Sequence, residues 1–63
     1  MNNIIDVRSL LKQYGIFVYI GDRRADLSLM EDEIKSLYEN KLISSDEYMK
    51  SLMIIKNERK GLE

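Results

Sequence analysis

Residues 17–24 combine aromatic and guanidinium side chains, the two kinds of group that contact single-stranded nucleic acids. Phe17 and Tyr19 alternate with aliphatic residues over 16–20, so in an extended segment both aromatic rings face one way and the aliphatic side chains the other. If the aliphatic side chains pack inward, the two rings form a surface on which bases can stack. The alternative interpretation is that at least one ring closes the core of a very small domain.

Arg23 and Arg24 follow at the expected start of a helix, where the helix dipole disfavours cations. One explanation is functional, because guanidinium groups beside free backbone N–H groups can bind a phosphate. The structural alternative is a set of local ion pairs, since Asp22 and Asp26 flank the two arginines.

The net charge of −1 hides an uneven distribution of charge along the chain. Residues 1–25 sum to +2, residues 26–47 to −5 and residues 48–63 to +2. If the first and last segments lie side by side, their cations can form one positive face for an anionic partner, although they can also be ordinary solvated residues. The predicted nucleic-acid or anion site comprises Phe17, Tyr19, Arg23, Arg24, Lys56 and Lys60.

Several kinds of chemistry are excluded by composition. The 63 residues contain no cysteine and no histidine, so disulfides, structural zinc sites and catalysis by thiolate or imidazole are impossible. Residues 31–33 are acidic, but successive side chains on a helix point about 100° apart and cannot converge on one metal ion. Gly15 and Gly21 lack the Gly-Lys-Ser/Thr pattern of a phosphate-binding loop. We therefore expect no enzymatic activity, no cofactor and no metal site.

Apolar residues at helical spacing predict a first helix over about 7–14. Asp6 is its expected N-cap, and Gly15 is expected to end it in the left-handed conformation. Ile5 and Leu10 are the expected hydrophobic staple around its start.

A second helix is predicted over about 22–40 from a longer pattern of the same kind. Its apolar residues are Leu27, Met30, Ile34, Leu37 and Tyr38. Asp22, Asp26 and Ser28 compete for the N-cap position, and the pattern leaves this choice open.

A third helix is predicted to begin after Ser44, because Ser44 and Glu47 match a capping box. Ile43 and Tyr48 are the expected hydrophobic staple around this start. Its expected core stripe is Tyr48, Leu52 and Ile55, flanked by Met49. The helix carries more apolar residues than one stripe needs: Met49, Leu52, Met53, Ile54 and Ile55. The alternative function is therefore a protein-interaction or self-associating module that uses the apolar face of this helix.

The chain length fits one domain, and we expect a single three-helix domain over 1–63. Residues 16–20 favour a strand, but no second strand is available, so we expect an irregular aromatic connection between the first two helices. The predicted fold is an all-α, compact three-helix bundle. With no leader-like start and no long apolar run, the expected location is the cytoplasm, without a membrane partner.

Short motifs throughout the chain resemble one family. They are Asp6-Val7, Leu10-Leu11, Tyr14-Gly15, Gly21, Arg23, the run 25–27, the run 29–34 and Leu37-Tyr38. Through these residues the chain resembles the YqgQ-like family of short bacterial proteins over about 4–56, most closely over 21–33. The resemblance implies a compact three-helix fold, and it implies no reaction, substrate or catalytic residue. The prediction of function therefore depends on the residues alone. They predict a small module that binds single-stranded nucleic acid or another phosphate-bearing ligand through residues 17–24 and the basic third helix.

Overall fold

The computed structural model of the chain describes residues 1–62, and three α helices account for most of this part. They are α1 (Ile4–Gln13), α2 (Arg23–Glu39) and α3 (Ser45–Lys60). Residues 1–62 contain no β strand, so the prediction of an all-α three-helix fold is confirmed. None of these helices combines the length and apolar character that crossing a membrane requires.

One apolar core joins the three helices, and α2 packs more extensively on α3 than α1 packs on either. The buried apolar side chains are Ile4, Val7, Leu10, Leu11, Leu27, Met30, Ile34, Leu37, Ile43 and Ile55. The helical spacing of the first two helices predicted most of these residues.

Helix α1 begins earlier than predicted, because Asn3 and not Asp6 is its N-cap. Oδ1 of Asn3 accepts hydrogen bonds from the N–H groups of Ile5 at 2.9 Å and Asp6 at 3.3 Å. The Asp6 carboxylate accepts from the N–H of Asn3 in return, which makes a capping box. The predicted staple is wrong, because Ile5 is 67% exposed. The earlier start places Ile4 on the buried stripe instead.

The same contacts act on the ionisation of Asp6. Backbone N–H groups of Asn2 and Asn3 donate to its carboxylate, and these hydrogen bonds lower the pKa of Asp6 below its ordinary value. The stabilisation of the helix start is therefore present at neutral pH, and it is lost as the pH falls through that lowered pKa.

Helix α1 ends at the predicted place in a Schellman motif. Gly15 adopts the left-handed conformation at φ +73°, as predicted. The N–H of Gly15 donates to the carbonyl of Lys12 at 2.9 Å, and the N–H of Ile16 donates to that of Leu11 at 3.0 Å. Tyr14 is outside the buried core, at 39% exposure, and its hydroxyl donates to the carbonyl of Leu42.

The N-cap of α2, which the sequence left open, is Asp22. Its Oδ1 accepts a hydrogen bond from the N–H of Arg24 at 3.2 Å. Asp26 and Ser28 lie inside the helix, and Asp26 is buried there.

Helix α3 begins with the predicted capping box. The N–H of Glu47 donates to Oγ of Ser44 at 3.1 Å, and the N–H of Ser44 donates to Oε1 of Glu47 at 3.0 Å. Ile43 is buried and Tyr48 packs against the core. The predicted core stripe is only partly right, because Ser51 is fully buried in place of Leu52, which is half-buried. Helix α3 therefore turns residues 48, 51 and 55 toward the core, and Met49 faces out.

Replacing Ser44 with alanine should lower the free energy of unfolding by about 1 kcal/mol, because an N–H group at the start of α3 loses its acceptor. Ser45→Ala is the matched control, since the exposed Ser45 side chain is not the cap. Chemical denaturation measures both variants. Equal losses in Ser44→Ala and Ser45→Ala would contradict the capping assignment.

Candidate nucleic-acid interface

The connection between α1 and α2 turns its side chains alternately inward and outward. Ile16 and Val18 pack against the core. Phe17 is 75% exposed and Tyr19 is 84% exposed. The alternation expected from the sequence is confirmed over residues 16–19, and neither aromatic ring closes the core. Ile20 departs from the pattern, because it is 55% exposed.

Two side chains from the flanking helices hold this connection in place. The N–H of Ile20 donates to Oδ1 of Asp26 at 2.7 Å, and Nη1 of Arg8 donates to the carbonyl of Val18 at 2.7 Å. Arg8 also lies 3.9 Å from Asp26, measured from Nη2 to Oδ2. Because Asp26 belongs to α2 and Arg8 to α1, both helices fix the backbone between them.

Sequence reasoning missed this Arg8–Asp26 pair. The sequence offers Asp26 as an N-cap or as a local partner of the neighbouring arginines, whereas in the structure its carboxylate faces inward and accepts a hydrogen bond from the connection. One indication was available in the sequence. Asp26 shares a helical face with Met30 and Leu37, and an acid on a buried face needs a partner.

A groove of about 180 Å³ lies beside the exposed rings. We call it the aromatic groove; its lining residues are Arg8, Leu11, Lys12, Ile16, Phe17, Val18 and Tyr19. It therefore joins two aromatic side chains, an aliphatic surface and two cations. Lys12 is exposed and forms no ion pair with any residue of the described chain, whereas Arg8 is held by the contacts above.

Arg23 and Arg24 contact the C-terminal end of the chain and do not line the aromatic groove. Arg23 forms an ion pair with Glu58 of α3. Nη2 of Arg24 donates to the carbonyl of Leu62 at 3.0 Å. Neither alternative left open by the sequence is found: Asp22 caps α2 and Asp26 faces inward, so neither pairs with the arginines, and both guanidinium groups have partners within the protein.

Lys56 and Lys60 are exposed on α3, one helical turn apart, and neither lines the aromatic groove. No ion pair involves either lysine within residues 1–62. Of the six residues in the predicted site, the structure thus brings only Phe17 and Tyr19 to the groove. Arg8 and Lys12, which sequence reasoning treated only as part of the basic N-terminal segment, also line the groove, and Lys12 is its unpaired cation within the described residues.

Comparison with known proteins identifies the family to which this chain belongs. A family model described as YqgQ-like matches residues 1–61. The chain belongs to the YqgQ-like family, as the sequence motifs predicted. It is also similar to a Bacillus subtilis (strain 168) protein with the name "Uncharacterized protein YqgQ". The two are 38% identical over 58 residues, which cover 92% of this chain and 82% of the relative.

Asp26→Ala should release the connection, because the N–H of Ile20 loses its acceptor and Arg8 loses its anion. We expect faster hydrogen exchange at the Ile20 amide and a loss of about 1–3 kcal/mol in the free energy of unfolding. Asp32→Ala, at an exposed acid of the same helix, makes the same change of charge and should alter neither quantity. Unchanged exchange at Ile20 in Asp26→Ala would contradict the proposed role of the carboxylate.

Proposed function

We propose that the protein is a small, non-enzymatic module that binds single-stranded nucleic acid in the aromatic groove. The observation that carries the proposal is the outward position of Phe17 and Tyr19 beside Arg8 and Lys12. Aromatic rings of this kind stack on unpaired bases, and each stacked base contributes about 1–3 kcal/mol to binding.

The exposure of both rings supports a ligand-binding role. Burying a phenylalanine side chain stabilises a protein by about 1.5–3 kcal/mol, which is a large contribution in a chain this short. Phe17 and Tyr19 nevertheless face solvent, while the smaller Ile16 and Val18 on the same segment pack inward. A base that stacks on the rings would remove this apolar surface from water.

The cations of the groove favour a phosphate-bearing ligand. Lys12 is free to contact a phosphate, whereas the Asp26 carboxylate offsets the charge of Arg8, which holds the Val18 carbonyl beside the rings. The number of phosphate contacts is small, and the overall charge of −1 works against a polyanion. We therefore expect modest affinity that depends more on stacking than on ionic contacts.

Single strands are favoured over duplexes because a base must be unstacked before it can lie on a protein ring. Relative to the sequence-based hypothesis, the proposed cationic contact moves from Arg23 and Arg24 to Lys12. A cytoplasmic location belongs to the same proposal, since a chain without cysteine is compatible with a reducing compartment.

Two substitutions should affect binding in different ways. Tyr19→Ala removes a stacking surface, so affinity should fall by about 1–3 kcal/mol while its dependence on salt stays nearly the same. Lys12→Ala removes one phosphate contact, so the slope of log affinity against log salt should become shallower by about 0.7. Fluorescence anisotropy with labelled mixed-sequence oligonucleotides at several low salt concentrations measures both effects.

The controls are Leu42→Ala, which truncates an exposed apolar side chain outside the groove, and Lys35→Ala, which removes an exposed cation from α2. Both should bind like the parent. The proposal fails if the parent protein shows no binding in the micromolar range, or if Leu42→Ala weakens binding as much as Tyr19→Ala does.

A further inference from the structure

The outward face of α3 carries a stripe of exposed residues with alternating spacings of three and four. We call it the outer stripe; it consists of Asp46, Met49, Met53, Lys56 and Lys60. Met49 is 62% exposed and Met53 is 66% exposed. Ile55 is buried and Ile54 packs against the core, so the two methionines hold most of the apolar surface that α3 leaves uncovered.

The spacing of the outer stripe is that of the seam along which two helices pack in a coiled coil. Side chains that recur every three and four residues line one face of a helix. When this face lies opposite the core, each turn presents one of these side chains to a neighbouring helix. Methionine suits such a contact because its flexible side chain adapts to the partner surface.

We propose that the outer stripe is the interface of a homodimer in which α3 packs antiparallel against α3 of a second copy. In the register that aligns the methionines, Met49 lies against Met53 of the second copy. The same register places Asp46 opposite Lys56 of the second copy. The twofold axis repeats each of these contacts, because an interface of this symmetry uses the same surface on both subunits.

Charge complementarity favours a second copy of the chain as the partner of the outer stripe, and it favours the antiparallel orientation of the two α3 helices. The stripe begins with an acid, Asp46, and ends with two bases, Lys56 and Lys60. A parallel pair of α3 helices would bring each charge against its own copy, which is unfavourable. The antiparallel pair brings opposite charges together at both ends of the methionine contact.

The existing contacts leave these charges available. Asp46 pairs with Lys50 at 3.1 Å on the same helix, but the two side chains are 73% and 56% exposed. Such a surface pair is weak, so Asp46 can leave Lys50 and pair with Lys56 of the second copy. Lys56 has no ion-pair partner in the described part of the chain. The dimer thus gives Lys56 a partner and assigns it a role other than contact with a nucleic acid strand.

One pair of helices of this length forms a small interface, so the dimer is expected to be weak and transient. Such a dimer carries two aromatic grooves. A nucleic-acid strand long enough to reach both grooves would bind the dimer more tightly than it binds a single groove. The dimer itself does not depend on nucleic-acid binding, so the two proposals can fail separately.

The test is a pair of charge reversals studied by sedimentation equilibrium in the absence of nucleic acid. The parent protein should dimerise between about 10 µM and 1 mM. Asp46→Lys alone places lysine against Lys56, and Lys56→Glu alone places glutamate against Asp46, so each variant should dimerise more than about tenfold less well than the parent. An equimolar mixture of the two variants should form heterodimers, because both contacts then join opposite charges.

Lys35→Glu is the control, since it makes the same charge reversal at an exposed position outside the outer stripe and should dimerise like the parent. Circular dichroism verifies that each variant is folded. If Asp46→Lys loses helicity, Met49→Glu and Met53→Lys replace the first pair: each should be monomeric alone and the mixture dimeric. A parent that stays monomeric throughout the range overturns the proposal, as does a mixture in which no dimer returns.

Discussion

The buried carboxylate of Asp26 determines where the exposed aromatic rings lie. The Asp26 side chain is only 6% exposed, so its carboxylate needs partners, and it obtains them from the N–H of Ile20 and from Arg8. No buried side-chain nitrogen or oxygen lacks a hydrogen-bond partner in the described chain. Because Asp26 binds the backbone at Ile20 and Arg8 binds it at Val18, the residues before each of these positions turn outward. The surface position of Phe17 and Tyr19 therefore follows from contacts that stabilise the fold.

Two ion pairs join α2 to α3. Arg23 pairs with Glu58, and Arg59 pairs with Glu31 at 2.9 Å. Exposed pairs of this kind contribute about 0–1 kcal/mol each, so they orient the helices more than they stabilise them. Glu31 of the acidic middle segment thus offsets Arg59 of the C-terminal helix, and Glu58 of the same helix offsets Arg23. Only the remaining cations, Lys12 above all, are available to an anionic ligand.

Features that depend on neighbouring residues could be predicted from the sequence, and features that depend on distant ones could not. The cap at Ser44 and the left-handed Gly15 follow from local hydrogen bonds and backbone geometry. The start of α1 was misplaced because Asn3 and Asp6 are both good caps, and only the burial of Ile4 decides between them. The inward turn of Asp26 required knowledge of α1, and the rotation of α3 required knowledge of the helices against which it packs.

We propose that a ligand binds where the connection between α1 and α2 holds Phe17 and Tyr19 outward. The most direct measurement is an NMR titration of the protein with a short single-stranded oligonucleotide at low salt. We expect the ring protons of Phe17 and Tyr19 to move upfield, as they do under a stacked base, together with shifts at the Lys12 and Ile16 amides. Shifts confined to the outer stripe of α3, or no shift at the two rings at saturating oligonucleotide, would contradict it.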